Sequence, residues 1–165
     1  MKKYDNIIGI DCDVTKSGVA YLEVATRRLE VSALTFPQLL DYLQNVALDS
    51  DVKGYSVVVV VEAGWLNKIS NYHTAASRGG QRIAKNVGSN HEVGKKIVEM
   101  CRHYGLEVIE QKPLKKCWKG KDGKITHEEI AYFTGLTGTT NQEMRDAALI
   151  CWNYAGLPIK INTNK

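Results

Sequence analysis

Residues Ser56 to Trp65 read SVVVVVEAGW, five valines in succession closed by a glutamate. A β-branched run this apolar, bounded by polar Ser56 and by Gly64, predicts a strand covered on both faces, as in the middle of a parallel sheet. Glu62 then stands at the carboxyl end of that strand, where open α/β sheets place their ligand crevice.

Upstream of the valines, NIIGIDCDVTKSGVAYLEVATRRLEVSAL holds three short β-type runs, Ile7 to Asp11, Gly18 to Val24 and Leu29 to Leu34. A polar turn separates the first two and ATRR the second and third, which predicts an antiparallel meander. TFPQLLDYLQNVAL follows, with Leu39, Leu40, Leu43, Val46 and Ala47 at a helical period, Thr35 as its cap and Pro37 in its first turn. Downstream, Ala63 to Val87 shows no clean period, carries SRGGQR, and reads as a long active loop with room for a helical piece. The capping box Ser89-x-x-Glu92 predicts the start of a helix that runs through Val93, Ile97, Val98 and Cys101 to Gly105. LEVIEQ is the next strand, ended by Lys112-Pro113. A lysine-rich, hairpin-like loop, KKCWKGKDGK, leads to a boxed helix from Thr126 to about Thr134, closed by Gly135, and a last helix runs from near Thr140 to Gly156.

The order β-β-β-α-β-α-β-α-α predicts an α/β fold. Its mixed five-stranded sheet joins a three-strand antiparallel meander to two parallel crossover strands, with helices on both faces. With 165 residues, 44% of them hydrophobic, the chain is expected to form one domain over 1–160, with 161–165 as a flexible C-terminal tail. No apolar stretch approaches the roughly 18 to 20 residues that span a bilayer, and MKKYDNIIGID has too short an apolar run for a secretory signal. The expectation is a soluble, cytoplasmic protein without a membrane partner. Cys12, Cys101, Cys117 and Cys151 form no C-x-x-C pair, which argues against a zinc ribbon or a disulfide framework.

Charge is unevenly spread. The formal net charge is +4, yet Lys112 to Lys124 alone carries +5 and Arg78 to Lys96 carries +4, so the remainder is acidic. Two basic segments on an acidic chain point to a polyanion, nucleic acid foremost, with solvated lysine-rich loops as the competing reading.

Four acids stand where such an architecture places chemistry. Asp11 ends the first strand as Glu62 ends the fourth, and the two carboxylates meet if those strands are parallel neighbours. Glu143 and Asp146 are three apart on a helix and share a face, while Ala147, Ala148 and Cys151 form the small apolar face that lets this helix lie close to the sheet. Clustered buried carboxylates need a cation to offset them, and hard divalent ions prefer oxygen ligands. Such a cluster can hold two Mg2+ ions about 3.5 to 4 Å apart for phosphodiester hydrolysis. Each acid also has a structural alternative. Asp11 would cap a turn with Asp13, Glu62 would be a plain strand-end acid, and Glu143 would complete a capping box with Thr140.

This constellation resembles the RuvC-type Holliday junction resolvases of the ribonuclease H-like nuclease superfamily. The resemblance is carried by IIGIDCDVTKSGVAYL, VVVVVEAGW, the segment NHEVGKKIVEMCRHYGLEVIEQKPLKKCWKGKDGKITHEEI, and EMRDAALIC, together spanning nearly the whole chain. Cys12-Asp13 stands where the family usually has Pro-Gly. The resemblance implies a ribonuclease H-like fold and a catalytic, metal-binding tetrad of Asp11, Glu62, Glu143 and Asp146. It further implies two Mg2+ per site, with Mn2+ as a substitute, and a homodimer that resolves four-way DNA junctions by nicking strands of like polarity, in DNA recombination and repair. Arg78, Arg82, Lys85, Lys112, Lys115, Lys116, Lys119 and Lys121 are candidate phosphate contacts, and Trp118 a candidate DNA-facing aromatic. Trp65 and Tyr72, just beyond Glu62, are candidates for stacking on bases opened at a branch point, with core packing the alternative for Trp65.

Three other functions compete. A non-cleaving junction-binding module is disfavoured, because a binding site for polyanions has no use for clustered acids. A sugar-kinase or actin-like nucleotide binder shares the first hairpin, but it needs a duplicated domain. A nuclease acting on RNA-DNA hybrids or other branched DNA differs only in substrate shape.

Overall fold

Strands β1 (Asn6–Asp11), β2 (Ser17–Glu23) and β3 (Arg28–Leu34) come first, followed by α1 (Phe36–Lys53), β4 (Val57–Glu62), α2 (Arg78–His103), β5 (Glu107–Gln111), α3 (His127–Thr134) and α4 (Gln142–Tyr154). The observed order of elements is the predicted one. The structure, a computed structural model, describes residues 2–67 and 78–163, with 78–81 and 83 described by their backbone alone. Tyr72 and the last two residues of the expected tail lie outside the described residues.

The five strands form one sheet in the order β3-β2-β1-β4-β5. β1 pairs antiparallel with β2 and β2 with β3, whereas β1 and β4, and β4 and β5, are parallel. β4, an interior strand between β1 and β5, is the valine run, and all five valines are buried, as a strand covered on both faces requires.

The two-residue period of the strands decides what faces what. Ile7 on β1 and Val58 and Val60 on β4 point into one core with Ala147, Ala148, Ile150 and Cys151 of α4 and Ile130 of α3. Ile8, Ile10, Val59 and Val61 point the other way, against Leu39 and Leu43 of α1 and Ile97, Val98 and Cys101 of α2. Helices therefore cover both faces. Asp11 and Glu62 follow the parity of Ile7 and Val60, so both belong to the α4 face.

α4 lies unusually close to the sheet. A Cβ built on Gly9 would collide with the Ala147 carbonyl oxygen, and one on Gly18 with the Glu143 carbonyl. Glycine at these two strand positions, Gly9 facing the backbone of Ala147 and Cys151 and Gly18 that of Glu143 and Met144, permits that approach.

Helix ends follow side-chain chemistry. Thr35 and Gln38 form a reciprocal capping box on α1, with Pro37 in the first turn, and Gly54 closes the helix at φ 74°. Thr126 and Glu129 do the same for α3, which ends at Gly135.

The stretch read as loop from Ala63 to Val87 is corrected in part. It opens with a single 3-10 turn, Gly64–Leu66, and from Arg78 onward it is already α2. Ser89 is therefore inside a helix and does not cap one: its Oγ donates to the Lys85 carbonyl one turn back, at 3.0 Å. The Ser-x-x-Glu pattern misled because Arg78, Gln81, Arg82 and Lys85 leave the first turns of α2 too polar to show an apolar period. Among the described residues, no helix is long and apolar enough to cross a membrane.

Candidate active site

The first acid pair is fixed by strand register. Ile10 of β1 pairs with Val61 of β4, so Asp11 and Glu62, the next residue on each, end side by side at the carboxyl edge of the sheet. Asp146 reaches the same place from α4. The three line one open cleft, walled by Leu114, Lys115, Lys116, Trp118, Lys124, Ile125, Leu149 and Ile150.

The electrostatics of the cleft follow from this placement. Burial, followed by repulsion from Glu62, Asp146 and Glu143, pushes the Asp11 carboxyl well above its ordinary range, and Lys124 opposes the rise. Glu62 is raised by burial and then by Asp146, against Lys116 and Lys124. Burial also raises Asp146, against a hydrogen bond from Gln142 and the charges of Lys124 and Arg145. Acids from β1, β4 and α4 thus act on one another, and one lysine, Lys124, acts on Asp11, Glu62 and Asp146.

Glu143 does not line the cleft, but its charge reaches Asp11 and Asp146. Its alternative role as a cap is corrected. The N-cap of α4 is Asn141, whose Oδ1 accepts from the Met144 N–H at 2.8 Å, leaving Glu143 in the first turn without a capping duty. Thr140 instead meets Arg145 and His127 through its hydroxyl. Asp13 is the turn residue: its Oδ2 accepts from the backbone N–H of Thr15 and of Lys16, a local Asx arrangement that leaves Asp11 out of the turn.

A hard divalent cation suits this donor set. The set is made of carboxylate oxygens, partly buried and mutually repelling, and among the described residues none of the four makes an ion pair within 4.0 Å. Among the same residues, no three His, Cys, Asp or Glu side chains stand at metal-holding spacing. The Asp146 Oδ1 accepts from the Gln142 amide at 2.9 Å.

The predicted basic residues divide. Lys115 and Lys116 line the cleft, whereas exposed Lys112, Lys119 and Lys121 do not. Arg82 and Lys85 are exposed on α2, and Arg78 begins that helix. The Val14 N–H donates to the Asn90 side chain at 3.1 Å, which sets that point of α2 level with the β1–β2 turn at the cleft end of the sheet. The twelve residues of α2 before Asn90, roughly 18 Å of helix, therefore run past that level.

The aromatics divide as well. Trp118 lines the cleft and stacks on Phe133 at a centroid distance of 6.0 Å. Trp65 packs in the core on the α2 side, donates from Nε1 to Glu110 at 3.0 Å and lies against Gly94, where no Cβ would fit. Its packing alternative is the observed arrangement.

Lys124 is the cleft residue that the sequence reading left out of its site. The signal was the Asp122-Gly123 pair, a hairpin marker that turns the lysine-rich loop back on itself. The Gly120 N–H donates to the Lys124 carbonyl and the Trp118 N–H to the Gly123 carbonyl, both at 2.9 Å, and this return brings Lys124 to the acids.

No protein-family model matches the chain, and no curated protein matches it by sequence. Two solved structures are similar. RuvC of T. thermophilus in complex with a Holliday junction substrate superposes with a TM-score of 0.52 at 14% identity, covering 91% of this chain and 92% of that one. The resolvase of Fowlpox virus, in a complex with Holliday junction DNA, gives a TM-score of 0.42 at 11% identity, covering 92% and 97%. The likeness to the first is one of fold: the chain has the ribonuclease H-like fold of the RuvC-type resolvases.

Proposed function

We propose that this protein is a metal-dependent, structure-selective endodeoxyribonuclease that resolves four-way DNA junctions. One observation carries the reading: Asp11, Glu62 and Asp146 share a cleft whose rim supplies Lys115, Lys116 and Lys124. A site for polyanions that keeps acids at its centre and cations at its edge suits phosphodiester cleavage better than passive binding. The fold it shares with RuvC, a protein described with a Holliday junction, supports a four-way junction as the substrate class.

On this reading Asp11, Glu62 and Asp146, with Glu143 behind them, hold two Mg2+, or Mn2+ in their place. When bound, such ions supply an activated water and stabilise the departing oxygen. The rigid ends of β1 and β4 hold two of the donors to the tolerance that metal ligation demands. Lys116 and Lys124 bind the non-bridging oxygens of the scissile phosphate, and Lys115 the next phosphate along. Leu114, Ile125, Leu149 and Ile150 keep the cleft floor dry, which strengthens every charge interaction above it. Exposed Arg82 and Lys85 on the projecting start of α2 reach for a second arm of the junction. A homodimer would present two such clefts to strands of like polarity.

The test is a substrate panel with Mg2+ or Mn2+: a synthetic four-way junction, linear duplex and an RNA-DNA hybrid. Nicking of the junction in preference to the other two is expected. Asp11→Asn and Glu62→Gln should abolish cutting and keep or tighten junction binding, because a negative charge near phosphate is removed. Preferred cutting of the hybrid would reassign the substrate, and wild-type rates in either variant would remove the metal assignment.

A further inference from the structure

Building on the reading of Asp146 as an acid of the nuclease cleft, we propose that Gln142 and Arg145 are positioning residues. Together they clamp the Ile125 carbonyl and thereby set Lys124 opposite the acids. Gln142 Nε2 donates both to Asp146 Oδ1, at 2.9 Å, and to the Ile125 carbonyl, at 3.0 Å. One planar amide therefore fixes the distance between an acid of α4 and the backbone next to Lys124. Arg145 Nε donates to the same carbonyl at 3.1 Å, and Arg145 Nη2 donates to Gln142 Oε1 at 3.0 Å, which closes the clamp on itself. Both amide hydrogens and the amide oxygen of Gln142 are engaged, so its orientation is fully determined.

The other end of Arg145 is anchored to the connection before α4. Its Nη1 donates to the Thr140 carbonyl at 2.9 Å and to Thr140 Oγ1 at 3.2 Å, and that hydroxyl lies 2.9 Å from His127 Nδ1 on α3. All of the oxygens that Arg145 bonds are neutral, so it leaves a positive charge beside Asp146. Among the described residues, the hairpin's other ties are its own turn bonds and, to α3, a Lys119 N–H donated to Glu129 and the stacking of Trp118 on Phe133; none of these grips the backbone beside Lys124 from α4. Ile125, 1% exposed, is where it meets α4.

Helix chemistry alone does not explain Gln142. The first turn of a helix favours aspartate or glutamate, whose charge complements the macrodipole. A donor is needed here, and glutamate has none to give at neutral pH. This opposition supplies the test. Gln142→Glu should help the helix and break the clamp, while Gln142→Leu breaks it without adding charge.

In the full-length protein, both variants are expected to lose about tenfold to a hundredfold in single-turnover junction nicking, the range typical of residues that orient metal ligands. Junction affinity should change less than twofold. Amide hydrogen exchange across 117–126 should quicken. In a Lys124→Ala background the Gln142→Leu loss should largely vanish, because the residue acts through the placement of that lysine. Full nicking by Gln142→Leu, or losses that simply multiply with Lys124→Ala, would overturn the proposal. If the wild-type protein cuts no substrate, the nuclease reading falls by itself and exchange decides the clamp: unchanged protection of 117–126 in Gln142→Leu refutes it, and quickened exchange upholds it.

Discussion

Replacing Gly9 by alanine puts a single methyl group where α4 touches β1. The added Cβ would stand 3.1 Å from the Cys151 backbone nitrogen and 3.3 Å from the Ala147 carbonyl carbon, with the Ala147 carbonyl oxygen closer still. Unstrained contacts of this kind lie at roughly 3.5 to 4.0 Å, so the backbone of α4 has to withdraw by about 1 Å, with no flexible side chain to yield instead. Overpacking of this size costs about 1 to 3 kcal/mol. For a chain of this length each kcal/mol shifts Tm by roughly 2 to 4 °C, so a fall of some 2 to 12 °C is expected in thermal unfolding. The same withdrawal carries Asp146 off its place at the cleft. A misplacement of about 1 Å is enough to cost roughly a hundredfold in rate, while junction binding through the lysines persists. Gly88→Ala is the matched control: it lies within α2 with nothing inside 4 Å of the added methyl, and should stabilise by about 0.4 to 1 kcal/mol. If Gly9→Ala unfolds and cuts like the wild type, the close approach of α4 to the sheet is wrong, and with it the placement of Asp146.

Three further outcomes are expected. Lys124→Ala should slow single-turnover nicking at least tenfold, and more than Lys121→Ala, because Lys121 lies outside the cleft; equal effects of the two would return Lys124 to the class of solvated lysines. In metal-free protein, the raised carboxyls of Asp11, Glu62 and Asp146 bind protons more tightly folded than unfolded, so stability should rise as pH falls from neutral toward the ordinary carboxylate range. Asp11→Asn should raise the neutral-pH Tm and flatten that dependence, whereas addition of Mn2+ should raise the Tm of wild type more than that of Asp11→Asn; an unchanged Tm in both comparisons would show that the acids do not repel. Asn141→Ala should cost about 0.5 to 2 kcal/mol in urea unfolding, since it removes the cap of α4, and Thr140→Ala should leave that cap intact.

The fold was legible where side-chain periodicity and cap chemistry agreed. Five valines bounded by Ser56 and Gly64 read as a doubly covered strand, Thr35 with Pro37 as the start of a helix, and Gly135 as the end of one. Legibility failed between Arg78 and Ser89, where a helix projects past the sheet and so has little core to face. The described residues of this stretch are half-buried at most, at Ala84 and Val87, so its apolar period is weak, and the Ser89-x-x-Glu92 pair imitated a beginning in the middle of an element. The site behaved likewise. Asp11 and Glu62 were readable because strand ends announce themselves and parallel register does the rest. The contributions of Gln142, Arg145 and Lys124 were not, because they depend on a backbone carbonyl, that of Ile125, which has no signature in a one-letter sequence.

That dependence follows from the charge problem at the centre of the fold. Three partly buried acids destabilise the sheet edge at neutral pH, and a lysine placed in direct ion pairs with them would relieve this while competing with a metal for the same oxygens. Holding Lys124 by its backbone, through a carbonyl gripped by two α4 side chains, leaves the ammonium near enough to moderate all three acids and bonded to none within 4.0 Å. Changing the shape of the cation tests this arrangement. Lys124→Arg keeps the charge, but its longer planar fork can bond a carboxylate directly. It should therefore raise the Tm of the metal-free protein while weakening Mn2+ binding, measured by titration calorimetry without DNA. Tighter Mn2+ binding in that variant would mean that the lysine supports the metal and does not merely stand clear of it.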